Sequence, residues 1–180
     1  MYIDINVSTG PWPFQRFALS SINDIQAHLS ERDIEAALVS HLGTVFHADP
    51  QPFNEELFTG AAGLPAIRPV PVINPALPGW ERMIESLISE HAPTAVKALP
   101  SQHLYSLESA EAEQLAGRLL EAGLPLLLQL RLEDERSQYR GLNTRGVPAD
   151  QIISLHRRFP ALPIVSLNAY LPDAISIAGQ

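Results

Sequence analysis

The sequence predicts an α/β protein of about six β/α units built on parallel strands, and three observations carry that reading. Short apolar runs alternate with amphipathic helical segments along the whole chain. Their starts recur about every 30 residues, the length of one strand-plus-helix unit. Prolines, 16 in all, gather where strands begin and end, as at Pro65, Pro69, Pro75, Pro125 and Pro163. A closed (β/α)₈ barrel typically takes about 250 residues, so 180 residues leave such a barrel roughly two units short. The expected architecture is a (β/α)-repeat barrel incomplete at about six units, forming one domain over 1–180. An open six-stranded parallel sheet is the alternative.

Each element has its own signal. "YIDINVSTG" reads as the first strand, and period-two alternation places Asp4, Asn6 and Ser8 on one face and Ile3, Ile5 and Val7 on the other. In "SSINDIQAHLSERD" Ile22, Ile25 and Leu29 share a helix face, and Ser21 with Asp24 forms an N-terminal capping pair. "EAALVSHL" is the second strand, and "NEELFTGAAG" a weaker helix that Gly60 and Gly63 shorten. "AIRPVPVIN" is the third strand, with Pro71 favouring an edge or bulge.

"GWERMIESLISEHA" brings Ile84, Leu87, Ile88 and His91 together on a helix, and "TAVKALP" is the fourth strand. "SAEAEQLAGRLLEAG" starts at Ser109 and stops at Gly123, as capping rules require. "LPLLLQLRL" is the fifth strand. "PADQIISLHRRFP" aligns Ile152, Leu155 and Phe159 before Pro160 ends the helix, and "LPIVSLNAY" is the sixth strand.

Composition narrows the function classes. A net charge of −8, with Arg157-Arg158 as the only basic cluster, argues against nucleic-acid partners, whose phosphates are held by grouped Lys and Arg. With no cysteine there are no disulfides, thiolate nucleophiles or Cys-type metal sites. No apolar run reaches membrane-spanning length and the start lacks a signal-peptide pattern, so no membrane contact and a cytoplasmic location are expected.

Strands covered on both faces should be continuously apolar, so their polar interruptions are informative. They fall mostly toward the carboxyl ends: Asn6 and Ser8 on strand one, Asn74 on strand three, Lys97 on strand four, Gln129, Arg131 and Glu133 on strand five, Asn168 on strand six. In parallel α/β folds that end is the ligand-binding rim. One such residue only needs a backbone partner; a set recurring on four or more strands marks a site, with Arg131 suited to a carboxylate. His41, ending strand two, is a candidate acid/base, and Trp12 between two prolines either walls the pocket or plugs the sheet.

"IDINVSTGPWPF", "ALVSHLGTVFHADPQPFNEEL", "PVPVINPALPGWE", "VKALP", "GLPLLLQLRLEDER" and "PIVSLNAY" together resemble the amidohydrolase-related, metal-dependent hydrolases of TIM-barrel fold. The resemblance implies a first-strand Asp-x-His-x-His metal motif, further histidines on strands five and six, and an Asp on strand eight. On this chain those histidine positions fall on Asn6, Ser8, Gln129 and Asn168, and the strand-eight Asp has no counterpart. Lys97 matches a strand-four position where some relatives carboxylate a lysine. Amides and hydroxyls are poor ligands beside imidazole or carboxylate, so neither a metal nor another cofactor is expected. His41, His47 and His103 follow strands two and four and offer a less favoured loop site, without a short-spacing motif.

The function expected from this set is metal-independent, lactonase-like hydrolysis of a small carboxylated substrate. Asp4 or His41 would handle a proton, while Asn6, Ser8, Trp12, Asn74, Lys97, Gln129, Arg131 and Asn168 bind substrate. The alternative is a catalytically silent ligand-binding protein whose open sheet edges are covered by a second copy or by a complementing chain.

Overall fold

A computed structural model describes residues 2–132, 134 and 145–179; Glu133 lies outside them. Six strands and six helices alternate: β1 (Tyr2–Thr9), α1 (Ile22–Glu31), β2 (Ile34–His41), α2 (Gln51–Ala61), β3 (Ile67–Pro69), α3 (Trp80–His91), β4 (Val96–Ala98), α4 (Ala110–Ala122), β5 (Leu126–Gln129), α5 (Ala149–Arg158), β6 (Ile164–Leu167) and α6 (Leu171–Ala178). The six β/α units of the sequence reading are all present. Their strands form two three-stranded parallel sheets, β1-β2-β3 and β4-β5-β6, instead of a single six-stranded one. The chain divides into two compact units, Met1–Val72 with Arg82–Thr94, and Ile73–Glu81 with Ala95–Gln180.

In the first unit the core is built between sheet and helices. Ala37 and Val39 of β2 meet Ile25 and Leu29 of α1 and Leu57 and Ala61 of α2, with Val7 of β1 packed against them. The α1 cap forms as its sequence requires: Ser21 Oγ accepts the Asp24 N–H at 3.1 Å and donates to the Asp24 carboxylate at 2.6 Å. Helix α2 begins three residues before Asn54, because Pro52 fits the first turn, where no N–H is needed. It also runs through Gly60, where a Cβ would meet the Ile22 side chain at 3.4 Å.

Strand β1 departs from simple alternation. Asp4 pairs with Ala37 and Val7 with Val39, so three steps along β1 match two along β2, a β-bulge. Register partners in a parallel pair point the same way, so Asp4 shares a face with Val7, Ala37 and Val39. Ser8, paired with Ser40, lies on the opposite face. The Asp4 carboxylate stabilises the bulge by accepting the Asn6 N–H at 3.1 Å. The expected single file of Asp4, Asn6 and Ser8 is therefore broken between Asp4 and Ser8.

In the second unit every residue of β4 and β5 is buried, as expected of parallel strands covered on both faces. Helix α4 starts on Ser109, whose side chain accepts the Ala112 N–H at 3.2 Å, and stops at Gly123 in the left-handed conformation, φ 66°. The strands are shorter than the apolar runs suggested. β3 stops at Pro69, β5 at Gln129 and β6 at Leu167, so Asn74, Arg131 and Asn168 stand beyond the strand ends. Proline supplies no ladder donor, which accounts for the early stop of β3. Helix α6, opened by Pro172 at its second position, had no place in the sequence reading. Among the described residues no helix is long and apolar enough to cross a membrane.

Candidate functional site

In the second unit the polar residues of β4 and β5 share a face. Lys97 pairs with Leu127, and Gln129 lies two residues further along β5, so their side chains leave the sheet on the same side. Lys97 is only 5 % exposed, and burial pushes its amine down from the ordinary 10.5 to about 8. At neutral pH it is still mainly an ammonium, held in surroundings where charge is weakly screened.

Beyond the end of β5 a second cluster gathers on one backbone carbonyl. Gln129 Nε2 donates to the Arg131 carbonyl, and Asn168 Nδ2 donates to the same oxygen at 3.1 Å and to the Leu132 carbonyl at 3.5 Å. Asn168 reaches it from a left-handed backbone, φ 56°, a conformation Asn tolerates better than most residues. The Arg131 guanidinium is ion-paired through Nη1 with Asp173 Oδ2 at 2.8 Å and lies 3.8 Å from the Tyr170 ring centroid. Gly146 passes close to it: a Cβ there would sit 2.8 Å from Nη2. Arg131 is thus held on several sides, with part of its charge met by Asp173. Neither Asp173 nor the Tyr170 stacking was visible in sequence, since both depend on α6. Asn74, buried, uses Oδ1 to accept the Ala76 N–H at 3.1 Å and so shapes the turn after β3.

The turn that follows β4 is folded back on the strand end. The Gln102 and His103 N–H groups donate to the Leu99 carbonyl at 3.2 and 2.9 Å, and Tyr105 N–H to Pro100 at 3.2 Å. Burial pushes the Tyr105 phenol above its ordinary range.

The first unit has its own polar centre at the end of β2. His41 Nδ1 accepts the Gly43 N–H at 3.0 Å, which places the imidazole proton on Nε2, 3.5 Å from Glu56 Oε1. Burial lowers the His41 pKa, and the Glu56 charge and hydrogen bond act in the other direction. The ring stacks on Phe53 with centroids 5.2 Å apart. Gly10, φ 96°, brings its backbone so close that a Cβ would lie 2.7 Å from His41 Cε1. Beside this pair is a cavity of about 350 Å³, lined in part by Thr9, Ser20, Ser21, His41 and Glu56.

Other expected site residues of that unit are placed differently. Asp4 is exposed in the amino-terminal half of β1, Asn6 and Ser8 are half-buried, and Trp12 packs with Phe14 and Phe46 at centroid distances of 5.7 and 5.2 Å. Asn54, absent from the sequence reading, is buried on α2. It completes the backbone of Val72 in both directions, Nδ2 to Val72 O and Val72 N to Oδ1, each at 2.9 Å. Only its position in an otherwise apolar helix face, three residues before Leu57, signalled it.

The amide and hydroxyl at the first-strand positions are poor ligands for a divalent transition metal. Asn6 and Ser8 occupy the first-strand positions, and among the described residues no three His, Cys, Asp or Glu side chains are close enough together to hold one. A loop site from His41, His47 and His103 thus finds no such cluster.

Solved structures share this fold. An amidohydrolase from Mycobacterium avium subsp. paratuberculosis matches with TM-score 0.62 and 16 % identity over 88 % of this chain and 50 % of its own. An uncharacterised TIM-barrel protein from Bordetella bronchiseptica matches with TM-score 0.69 and 13 % identity over 99 % and 71 %. The chain shares the TIM-barrel fold of these proteins over the part that it matches. A third match is a probable 2-pyrone-4,6-dicarboxylic acid hydrolase from Acinetobacter baumannii, solved with citric acid bound, with TM-score 0.59 and 10 % identity over 99 % and 65 %. The chain therefore spans about half to seven-tenths of the length of these neighbours. At such identities the likeness is one of fold. No family model and no curated protein matches the sequence.

Proposed function

We propose that this chain binds a small carboxylated molecule at the carboxyl ends of β4, β5 and β6 and hydrolyses it in the manner of a lactonase, without a metal. The observation that carries the reading is Lys97, a buried ammonium on the same sheet face as Gln129. An anion arriving at a poorly screened cation gains more than it would at the surface. Arg131 is a fixed cationic group near the β5 end, and Gln129 and Asn168 position it through its carbonyl. The neighbour named as a pyrone dicarboxylic acid hydrolase supports the choice of a carboxylated, lactone-like substrate.

The test is proton release from carboxylated γ- and δ-lactones, measured with and without a chelator, for the wild type and for Lys97→Met. Turnover that survives chelation and falls at least about tenfold in the variant is expected, since a buried charge-to-carboxylate contact is worth a few kcal/mol. Loss of turnover on chelation with recovery on adding Zn²⁺, or equal rates in the two proteins, overturns the reading.

A second reading, a silent binding protein associating through its sheet edge, is favoured by one observation. Tyr2 and Ile3 of β1 are 72 % and 55 % exposed, beside Asp4 and Arg32, on the outer strand of the β1-β2-β3 sheet. Carboxylate binding without turnover, by a protein that light scattering shows to be a dimer or larger, selects it.

A further inference from the structure

We propose that the turn after β4 is a recognition element for a ligand hydroxyl group, with Tyr105 as the specificity-determining residue, so that the molecule bound is a hydroxylated acid. The proposal rests on the carboxylate-binding reading above and adds to it the neighbouring group on the ligand. Three observations point to it.

The Tyr105 hydroxyl and Gln102 Oε1 are both buried, and neither has a hydrogen-bond partner in the protein. A buried polar atom left in this state is costly, and these two lie three residues apart in one turn, whereas the amides of Asn54, Asn74 and Gln129 are each bonded to backbone. A phenol can both donate and accept, and an amide oxygen accepts. Together they match an alcohol, which offers one donor and an acceptor oxygen.

Between them stands Leu104, at φ 57°. A bulky residue in the left-handed region is strained, and such strain persists where the surroundings over-determine the backbone, most often at ligand-binding positions. Its side chain is 87 % exposed, so no burial of leucine compensates for the strain.

The surroundings do over-determine this turn. On one side it is tied to the Leu99 and Pro100 carbonyls. On the other, Gln151 of α5 accepts from Ser106 Oγ at 3.2 Å and from the Leu107 N–H at 3.1 Å, while Arg158 Nη2 donates to the Leu107 carbonyl at 3.2 Å. The turn starts two residues after β4, the strand that carries Lys97, so an acid held by that ammonium would bring its own hydroxyl toward the same end of the sheet.

Calorimetric binding of malate against succinate, and of citrate against tricarballylate, to the full chain tests this, each pair differing by one hydroxyl. The wild type is expected to bind the hydroxylated member at least about tenfold more tightly, and Tyr105→Phe to bind both members alike, at the affinity of the deoxy acid. The thermal midpoint of Tyr105→Phe without ligand should equal or exceed that of the wild type, because the hydroxyl bonds nothing in the protein. Equal binding within each pair by the wild type overturns the inference and leaves the carboxylate reading standing. A lowered midpoint in the variant assigns the hydroxyl an internal partner and also overturns it. Binding of none of the four acids removes the carboxylate reading and this inference together.

Discussion

In the first unit two buried polar side chains are bonded to backbone: Asn54 closes both hydrogen bonds of Val72, and His41 accepts from Gly43. In the second unit the most conspicuous buried polar group is an amine, Lys97, whose burial costs stability at neutral pH. The difference separates two reasons for polarity inside a sheet protein. Amides that complete the backbone stabilise the fold, whereas a buried charge carries a desolvation cost. Substitutions at Asn54 and at Lys97 should therefore move stability in opposite directions.

The largest effect is expected at Asn54. Asn54→Leu leaves the Val72 N–H and carbonyl buried without their partners and should cost about 4 kcal/mol in urea unfolding, at every pH. A loss below about 1 kcal/mol would show that water reaches Val72 and would blur the contrast.

Lys97→Met should act with the opposite sign. Lowering the amine from 10.5 to about 8 corresponds to a penalty of about 3 kcal/mol on the charged form. The folded-state value lies below the unfolded one, so the wild type gains stability as pH rises from about 8 to 10.5 and lacks that gain below about 8. The variant should be more stable by roughly 3 kcal/mol at pH 7, with the advantage vanishing above pH 10.5. A destabilised variant at pH 7 would instead place Lys97 among the structural polar groups.

His41 should give a smaller, pH-dependent effect. Its folded pKa lies below the ordinary 6.5, so the stability associated with the neutral ring is present above that value and is lost as pH falls through the folded pKa. Urea midpoints of the wild type should drop between pH 7.5 and 5 more steeply than those of His41→Asn. Parallel slopes would remove His41 from the titrating groups that matter.

At the exposed edge of β1, Ile3→Lys should leave the unfolding free energy within about 0.5 kcal/mol of the wild type. Its readout is association: a charge on the strand edge should shift any dimer in light scattering toward monomer. An unchanged mass would exclude this edge as the contact.

Much of the fold was legible because it depends on local patterns. Ser21 with Asp24, Ser109 and Gly123 mark helix ends by side-chain chemistry within four residues, and all three act as their types require. The candidate site was legible only in part. Lys97 and Gln129 were visible as polar interruptions of apolar strands. The amides of Gln129 and Asn168 meeting on the Arg131 carbonyl depend on β5 and β6 ending early and on a left-handed Asn168, features no periodicity encodes. Asp173 stayed hidden because its partner is 42 residues away, on a helix with only a short amphipathic signal.

The bulge in β1 has a consequence for how this strand can change over time. Because the extra residue falls between Asp4 and Val7, removing one residue there would leave a regular ladder, with Asp4 still paired to Ala37 and Ser8 and Thr9 still paired to Ser40 and His41. A one-residue deletion at this point thus turns no side chain to the other face, whereas the same deletion in a regular strand would turn every residue on one side of it. An alignment that assumes unbroken alternation would place Asp4 on the face of Ser8, whereas in the structure the two lie on opposite faces.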